Sequence, residues 1–270
     1  MSHGAEEDEQ SNLTSNFLMV VVVAVVVAIA SFNLWAKFHH VLVDPATLCP
    51  TDLPPASVTV ILIDTTDPID VLKRTAITNS LTKEIDVLPV YGEIELYTVG
   101  SVGGSLLIPQ LSVCNPGTGE GKSELTSNPQ LMKKRWNQKF FDRLAEVLDR
   151  LLTAPSAQNS PIMESIQDLA IAVFQKPEFA HVPKSLIIVS DMVQYTNAYS
   201  QYNAVESFRQ FKSEPGYLTV HPDLQKVDVT ILYLIRPEYQ RVQNRRHLVF
   251  WQDYFADAGA RVVHVIPIEG

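Results

Sequence analysis

Cysteine occurs only twice in 270 residues, at Cys49 and Cys114. Two thiols cannot make a four-ligand zinc site by themselves. They are either one disulfide, which needs an oxidising compartment, or two unrelated thiols. Positive charge is also scarce. The 21 Lys and Arg against 30 Asp and Glu leave a net charge of −9, which argues against the broad basic footprint of a nucleic-acid binder. The two basic clusters, Lys133-Lys134-Arg135 and Arg245-Arg246, lie in helical patterns and read as solvated faces. The seven histidines are scattered, and none falls in an H-x-x-x-H zinc pair; His39-His40 reads as interfacial. The first 16 residues contain no Lys or Arg, so the basic start of a cleaved signal peptide is missing.

What the N-terminus does contain is an acidic tail, residues 1–16, expected to be disordered. It is followed by an uncharged run, FLMVVVVAVVVAIASFNLWA. Twenty residues at about 1.5 Å each match the thickness of a bilayer core. A transmembrane helix over 17–38 is therefore expected, with Trp35 and Lys37 as interfacial anchors. Lys37 follows the run and no basic residue precedes it, which favours a cytoplasmic C-terminal part; a disulfide would favour the opposite side. Residues 39–57 are proline-containing and read as a linker.

From residue 58 to 270 strand and helix patterns alternate. Residues 58–63 are a wholly apolar strand, 68–86 a helix, 93–99 an alternating strand, and 105–113 a hairpin partner at a sheet edge that tolerates Pro109. Further helices are expected around Trp136 to Leu151, over 161–175, 203–211 and 239–258, with strands at 185–190, 227–235 and 261–266. This rhythm gives an α/β class: a doubly wound, mainly parallel sheet with one antiparallel edge strand and helices on both faces.

In such sheets ligands bind beyond the carboxyl ends of the strands. Two strands end on aspartate, at Ile63-Asp64 and Val189-Ser190-Asp191. Neighbouring carboxylates repel each other, and a divalent cation relieves this; an all-oxygen set suits Mg²⁺, with Mn²⁺ or Ca²⁺ as alternatives. The residues here resemble a known family. Asp64-Thr65-Thr66-Asp67-Pro68 is similar to the D-x-S-x-S motif of von Willebrand factor A (vWA) domains. Ser160-Pro161-Ile162-Met163-Glu164-Ser165-Ile166 resembles their T-P-L-x-x-A-L segment, and Ile187-Ile188-Val189-Ser190-Asp191 their hydrophobic-S-D-G strand end.

The resemblance implies a metal-ion-dependent adhesion site with Asp64, Thr66, Ser160 and Asp191 around a divalent ion. Two positions depart from the pattern. Pro68 stands where the second serine belongs, and Met192 replaces the glycine after Asp191. The first two motifs also have plain structural readings: an Asx turn and helix cap at Asp64 to Asp67, and a helix cap at Ser160 before Pro161. The resemblance further implies that Cys49 and Cys114 lie at the end of the sheet opposite the metal, where a disulfide would staple the linker to the domain. That points to a bacterial inner-membrane protein with a periplasmic domain. The expected role is binding a protein partner within a membrane complex rather than catalysis, with Asp67, Tyr195, Tyr199 and Tyr202 as contact candidates. The alternatives are a metal-dependent phosphoester hydrolase and a scaffold subunit with an inactive metal site.

Two other likenesses fail on their chemistry. Residues 116–123, PGTGEGKS, resemble a phosphate loop, but Pro116 replaces its first glycine and Pro129 follows too soon for the required helix start. No nucleotide is expected. The aspartyl-phosphatase pattern needs a second carboxylate where Thr66 stands.

Overall fold

A computed structural model describes residues 18–32, 34, 41–100, 108–121, 128–154, 159–197, 199–202 and 207–269. The acidic tail, Trp35 and Lys37 fall outside these residues. The chain divides into two compact units, Met1–Leu42 and Val43–Gly270. In the first, residues 18–32 are helical and their apolar side chains are exposed. Among the described residues no helix is long and apolar enough to cross a membrane.

The second unit is built on one six-stranded sheet: β1 (Val58–Ile63), β2 (Glu93–Thr98), β3 (Leu111–Cys114), β4 (Lys184–Ser190), β5 (Val227–Leu234) and β6 (Arg261–Ile268), in the order β3-β2-β1-β4-β5-β6. All neighbouring pairs are parallel except β2 with β3. β1 lies between β2 and β4 and is covered on both faces, which is why its sequence is a continuous apolar run instead of an alternating one. Val58, Val60 and Leu62 face one core and Ile61 and Ile63 the other, as the two-residue period of a strand requires.

Helices cover both faces. α1 (Val71–Asp86) buries Ile77, Leu81 and Ile85 at four-residue spacing, and its first turn is capped by Asp70, which accepts from the Lys73 amide at 2.9 Å. α2 (Pro129–Trp136) runs through a π-turn, Asn137–Phe141, into α3 (Asp142–Leu152), which buries Leu144, Leu148, Leu151 and Leu152. These helices pack on the Ile61 face. The other face takes α4 (Ile162–Leu169), the short α5 (Phe208–Phe211) and α6 (Arg245–Asp257), whose Phe250, Trp251, Tyr254 and Phe255 form an aromatic core.

The structure differs from the sequence expectations at several boundaries. The edge strand begins at Leu111, well after the 105 expected, while 101–107 lie outside the described residues. The helix expected over 239–258 starts at Arg245, because Asn244 accepts from the amides of Arg246 and His247 and so ends the preceding loop. Of the helix expected over 203–211, residues 203–206 lie outside the described residues and Phe208–Phe211 is helical, opened by a Ser207–Gln210 capping box. Residues 43–50 of the expected linker pack on the domain. Val43 and Pro50 form a bridge, Leu48 enters the core in a left-handed conformation (φ 63°), and the Cys114 amide donates to Thr47 O at 2.8 Å.

Cys49 and Cys114 are joined by a disulfide, with Cα atoms 4.8 Å apart. The register places it. Cys114 pairs with Glu93, which pairs with Val58 at the amino end of β1. The bridge is thus at the end of the sheet opposite Asp64. The strand order supplies the other landmark. From β1 the chain winds out through β2 and β3, then returns to β4 and winds the other way. The switch point lies between β1 and β4, and Ile63 pairs with Val189 just before the two aspartates.

Candidate functional site

Beyond the switch point the loops bring together oxygen atoms from four segments. Asp64 is buried, and each carboxylate oxygen accepts twice. Oδ1 takes the Thr66 amide at 3.0 Å and the Thr66 hydroxyl at 2.6 Å. Oδ2 takes the Ser160 hydroxyl at 3.1 Å and the Ser190 hydroxyl at 2.7 Å. The Thr66 amide bond is the Asx turn foreseen from sequence. Ser160 does not cap α4: the cap position is Pro161, and the Met163 amide is met by Gln194 Oε1 at 3.0 Å instead. Gln194 also donates to Glu164 Oε2 at 2.7 Å, fixing this loop to the start of the helix. Ser160 and Tyr195 exchange two backbone hydrogen bonds of 3.0 Å, which ties the second motif to the loop after β4.

Asp191 is also buried. Its Oδ1 accepts from the Val193 amide at 2.9 Å, and its Oδ2 from Arg236 Nε at 2.9 Å. Burial and the charge of Asp64 push the Asp191 carboxyl up to about 7, against the lowering effect of the Val193 amide and Arg236. Arg236 follows β5 and turns inward. Its Nη1 donates to Pro68 O at 3.0 Å, and Nε stands 3.7 Å from Asp67 Oδ2. Gln243 holds the arrangement by accepting from the Arg236 amide at 2.8 Å and donating to the carbonyls of Leu234 and Asp191 at 2.8 and 3.1 Å.

Met192 adopts φ 61°, a left-handed backbone that explains why a glycine would suit this place. The conformation costs a non-glycine residue about 1 kcal/mol. It is held by neighbours: Met192 O accepts from Trp251 Nε1 at 2.8 Å and lies 2.9 Å from His247 Nε2, and the Met192 side chain is buried in the core. His247 therefore carries its proton on Nε2, and Nδ1 accepts from the Tyr233 hydroxyl at 2.7 Å. Burial pulls this imidazole down to about 4.

The three tyrosines foreseen as contacts do not share one role. Tyr195 and Tyr202 are exposed, 39% and 37%, and meet edge to face at 5.2 Å. Tyr202 meets Tyr239 in the same way at 5.1 Å. The Tyr202 hydroxyl donates to Tyr239, whose own hydroxyl donates to Asp67 Oδ2 at 3.3 Å. Tyr199 turns inward instead, with its ring 4.6 Å from Phe211 and stacked on Phe250, so it belongs to core packing. The sequence reading missed Ser190, Arg236, Tyr239 and Gln243. Ser190 lay within the quoted motif, and Arg236 stands two residues past the end of β5, on the same rim as Asp64 and Asp191.

A divalent ion held as the resemblance implies does not fit this donor set. Pro68 offers no side-chain oxygen, and a guanidinium already stands on Asp191. A different potential ligand group, Cys49, Glu93 and Cys114, has one ligand atom from each within 4.8 Å of the others. There the two sulfurs are bonded to each other and are not available as thiolates.

No protein-family model matches the chain, and no curated protein matches it. Some solved structures are similar to it. One is described as the conserved hypothetical protein BatB from Bacteroides thetaiotaomicron (10% identity, TM-score 0.41, covering 79% of this chain and 91% of that one). Another is the SpRpn10 VWA domain (13%, 0.39, 79% and 89%). A third is an aerotolerance-related membrane protein from Bacteroides fragilis carrying multiple mutations to serine (10%, 0.35, 79% and 92%). These are distant likenesses of fold. What the chain itself displays is a six-stranded, mostly parallel sheet with one antiparallel edge and a buried Asp–Ser–Thr–Arg network at its switch point.

Proposed function

We propose that the chain is a vWA-like protein-recognition module that residues 17–38 anchor to a membrane, with its folded unit in an oxidising compartment such as the bacterial periplasm. The single observation that carries the recognition reading is the exposed pair Tyr195–Tyr202, continued by the half-buried Tyr239 to Asp67, beside a rim stiffened by the Asp64 and Asp191 networks. Tyrosines give large contact area with a polar tip, and a carboxylate at their edge sets polarity and register. The three motifs on their expected loops and the antiparallel edge support the vWA-like reading. The disulfide supports the oxidising compartment.

Binding is preferred to catalysis because the buried carboxylates are committed to partners within the chain, an arrangement suited to holding loops in place. The vWA resemblance implies a divalent ion at this rim, held by Asp64, Thr66, Ser160 and Asp191. A second reading, a recognition rim that works without one, is favoured by Arg236 on Asp191.

Site-specific photo-crosslinking in cells tests the proposal. A crosslinker at Tyr202 should yield one defined adduct, weakened by Tyr195→Ala and by Asp67→Ala. A crosslinker at Val87, exposed at the end of α1, should yield none. Adducts from Val87 but none from Tyr202 would place recognition away from the rim.

A further inference from the structure

Arg236 is the residue that the sequence motifs give no reason to expect, and its surroundings are specific. Its side chain is 7% exposed. Nε is 2.9 Å from Asp191 Oδ2 and Nη1 is 3.0 Å from Pro68 O. Nη2 points toward Asp67 O at 3.5 Å. Pro68 is the position that lacks the hydroxyl implied by the vWA resemblance, and it is there that the backbone carbonyl receives the guanidinium. Gln243 fixes the Arg236 amide and the Asp191 carbonyl together, so the cation is built into the rim and not a surface side chain that happens to fall inward.

A guanidinium is a planar cation whose fixed fork of donors can meet a carboxylate and a carbonyl at once. Asp64 is meanwhile satisfied by four donors, and Asp67 is partly solvated. We infer that Arg236 takes the place of the divalent cation at this rim, and that the loops after β1, β4 and β5 are assembled by an internal ion pair without a metal. A divalent ion placed between Asp64 and Asp191 would have to share Asp191 with a fixed positive charge in a poorly hydrated site, where like charges are weakly screened.

The experiment measures Mn²⁺ uptake by the purified, chelator-treated full chain, using the electron paramagnetic resonance signal of free Mn²⁺, alongside melting temperature in Mg²⁺, Mn²⁺ and Ca²⁺. Wild type should take up no ion that depends on Asp191, and its melting temperature should move by less than about 1 °C. Arg236→Met should melt lower and gain one Mn²⁺ site that Asp191→Asn removes. Uptake of one Mn²⁺ by wild type that is lost in Asp191→Asn would overturn the inference, and this comparison stands even if Arg236→Met fails to fold. Ion uptake is read directly, so the outcome is independent of whether the rim captures a partner.

Discussion

Opening the Cys49–Cys114 bridge is the perturbation whose size follows most directly from the structure. The bridge joins residues 65 apart and closes the segment before β1 onto the edge strand β3. In the chain-entropy model a loop of that length restrains the unfolded chain by roughly 4 kcal/mol. For a unit of this size, each kcal/mol moves the melting temperature by about 2–4 °C, so reduction should lower it by roughly 8–16 °C. Some further loss is expected, because freeing residues 43–50 also loosens Leu48 in the core. Cys49→Ser should reproduce the effect and make wild type and variant melt together under reducing conditions. Thermal unfolding followed by circular dichroism, with and without reductant, measures it. Non-reducing peptide mapping of the purified protein should find the linked pair. Two freely alkylated thiols in native protein, or a melting temperature unmoved by reductant, would refute both the staple and the oxidising compartment inferred from it.

Three further outcomes are expected. Asp64→Ala strips the acceptor from three buried hydroxyls and should cost about 3 kcal/mol in urea unfolding, with Asp64→Asn losing less because it keeps shape and one acceptor; a change under about 0.5 kcal/mol would mean the network does not brace the rim. Tyr199→Ala should cost about 2–3 kcal/mol while Tyr202→Ala stays near neutral, reversing the expectation that Tyr199 is a surface contact. His247 titrates near 4 when folded and about 6.5 when unfolded, so its contribution is complete above about 6.5 and is lost as pH falls toward 4, up to about 3 kcal/mol. The stability gap between wild type and His247→Gln, from urea midpoints at pH 7 and pH 5, should therefore narrow at the lower pH, and a constant gap would contradict it.

Sequence alone determined the local elements and one end of the sheet's chemistry. The wholly apolar 58–63 run, the four-residue spacing of Ile77, Leu81 and Ile85, and the aspartates closing β1 and β4 are each legible within a few residues, because periodicity and strand ends are short-range properties. The motif order likewise anticipated that Asp64, Thr66 and Ser160 meet. Helix starts such as Asn244 were less legible, since a cap competes with an apolar pattern that runs on past it. Tertiary structure alone decided what balances the charge. Arg236 reaches Pro68 across 168 residues of chain, and Tyr239 reaches Asp67 across 172. Nothing local to either segment encodes that meeting; it follows from β5 lying beside β4, and β4 beside β1, with all three running in the same direction. The same is true of Tyr199, which turns into the core because Phe211 and Phe250 from two other helices offer it apolar contact that solvent does not.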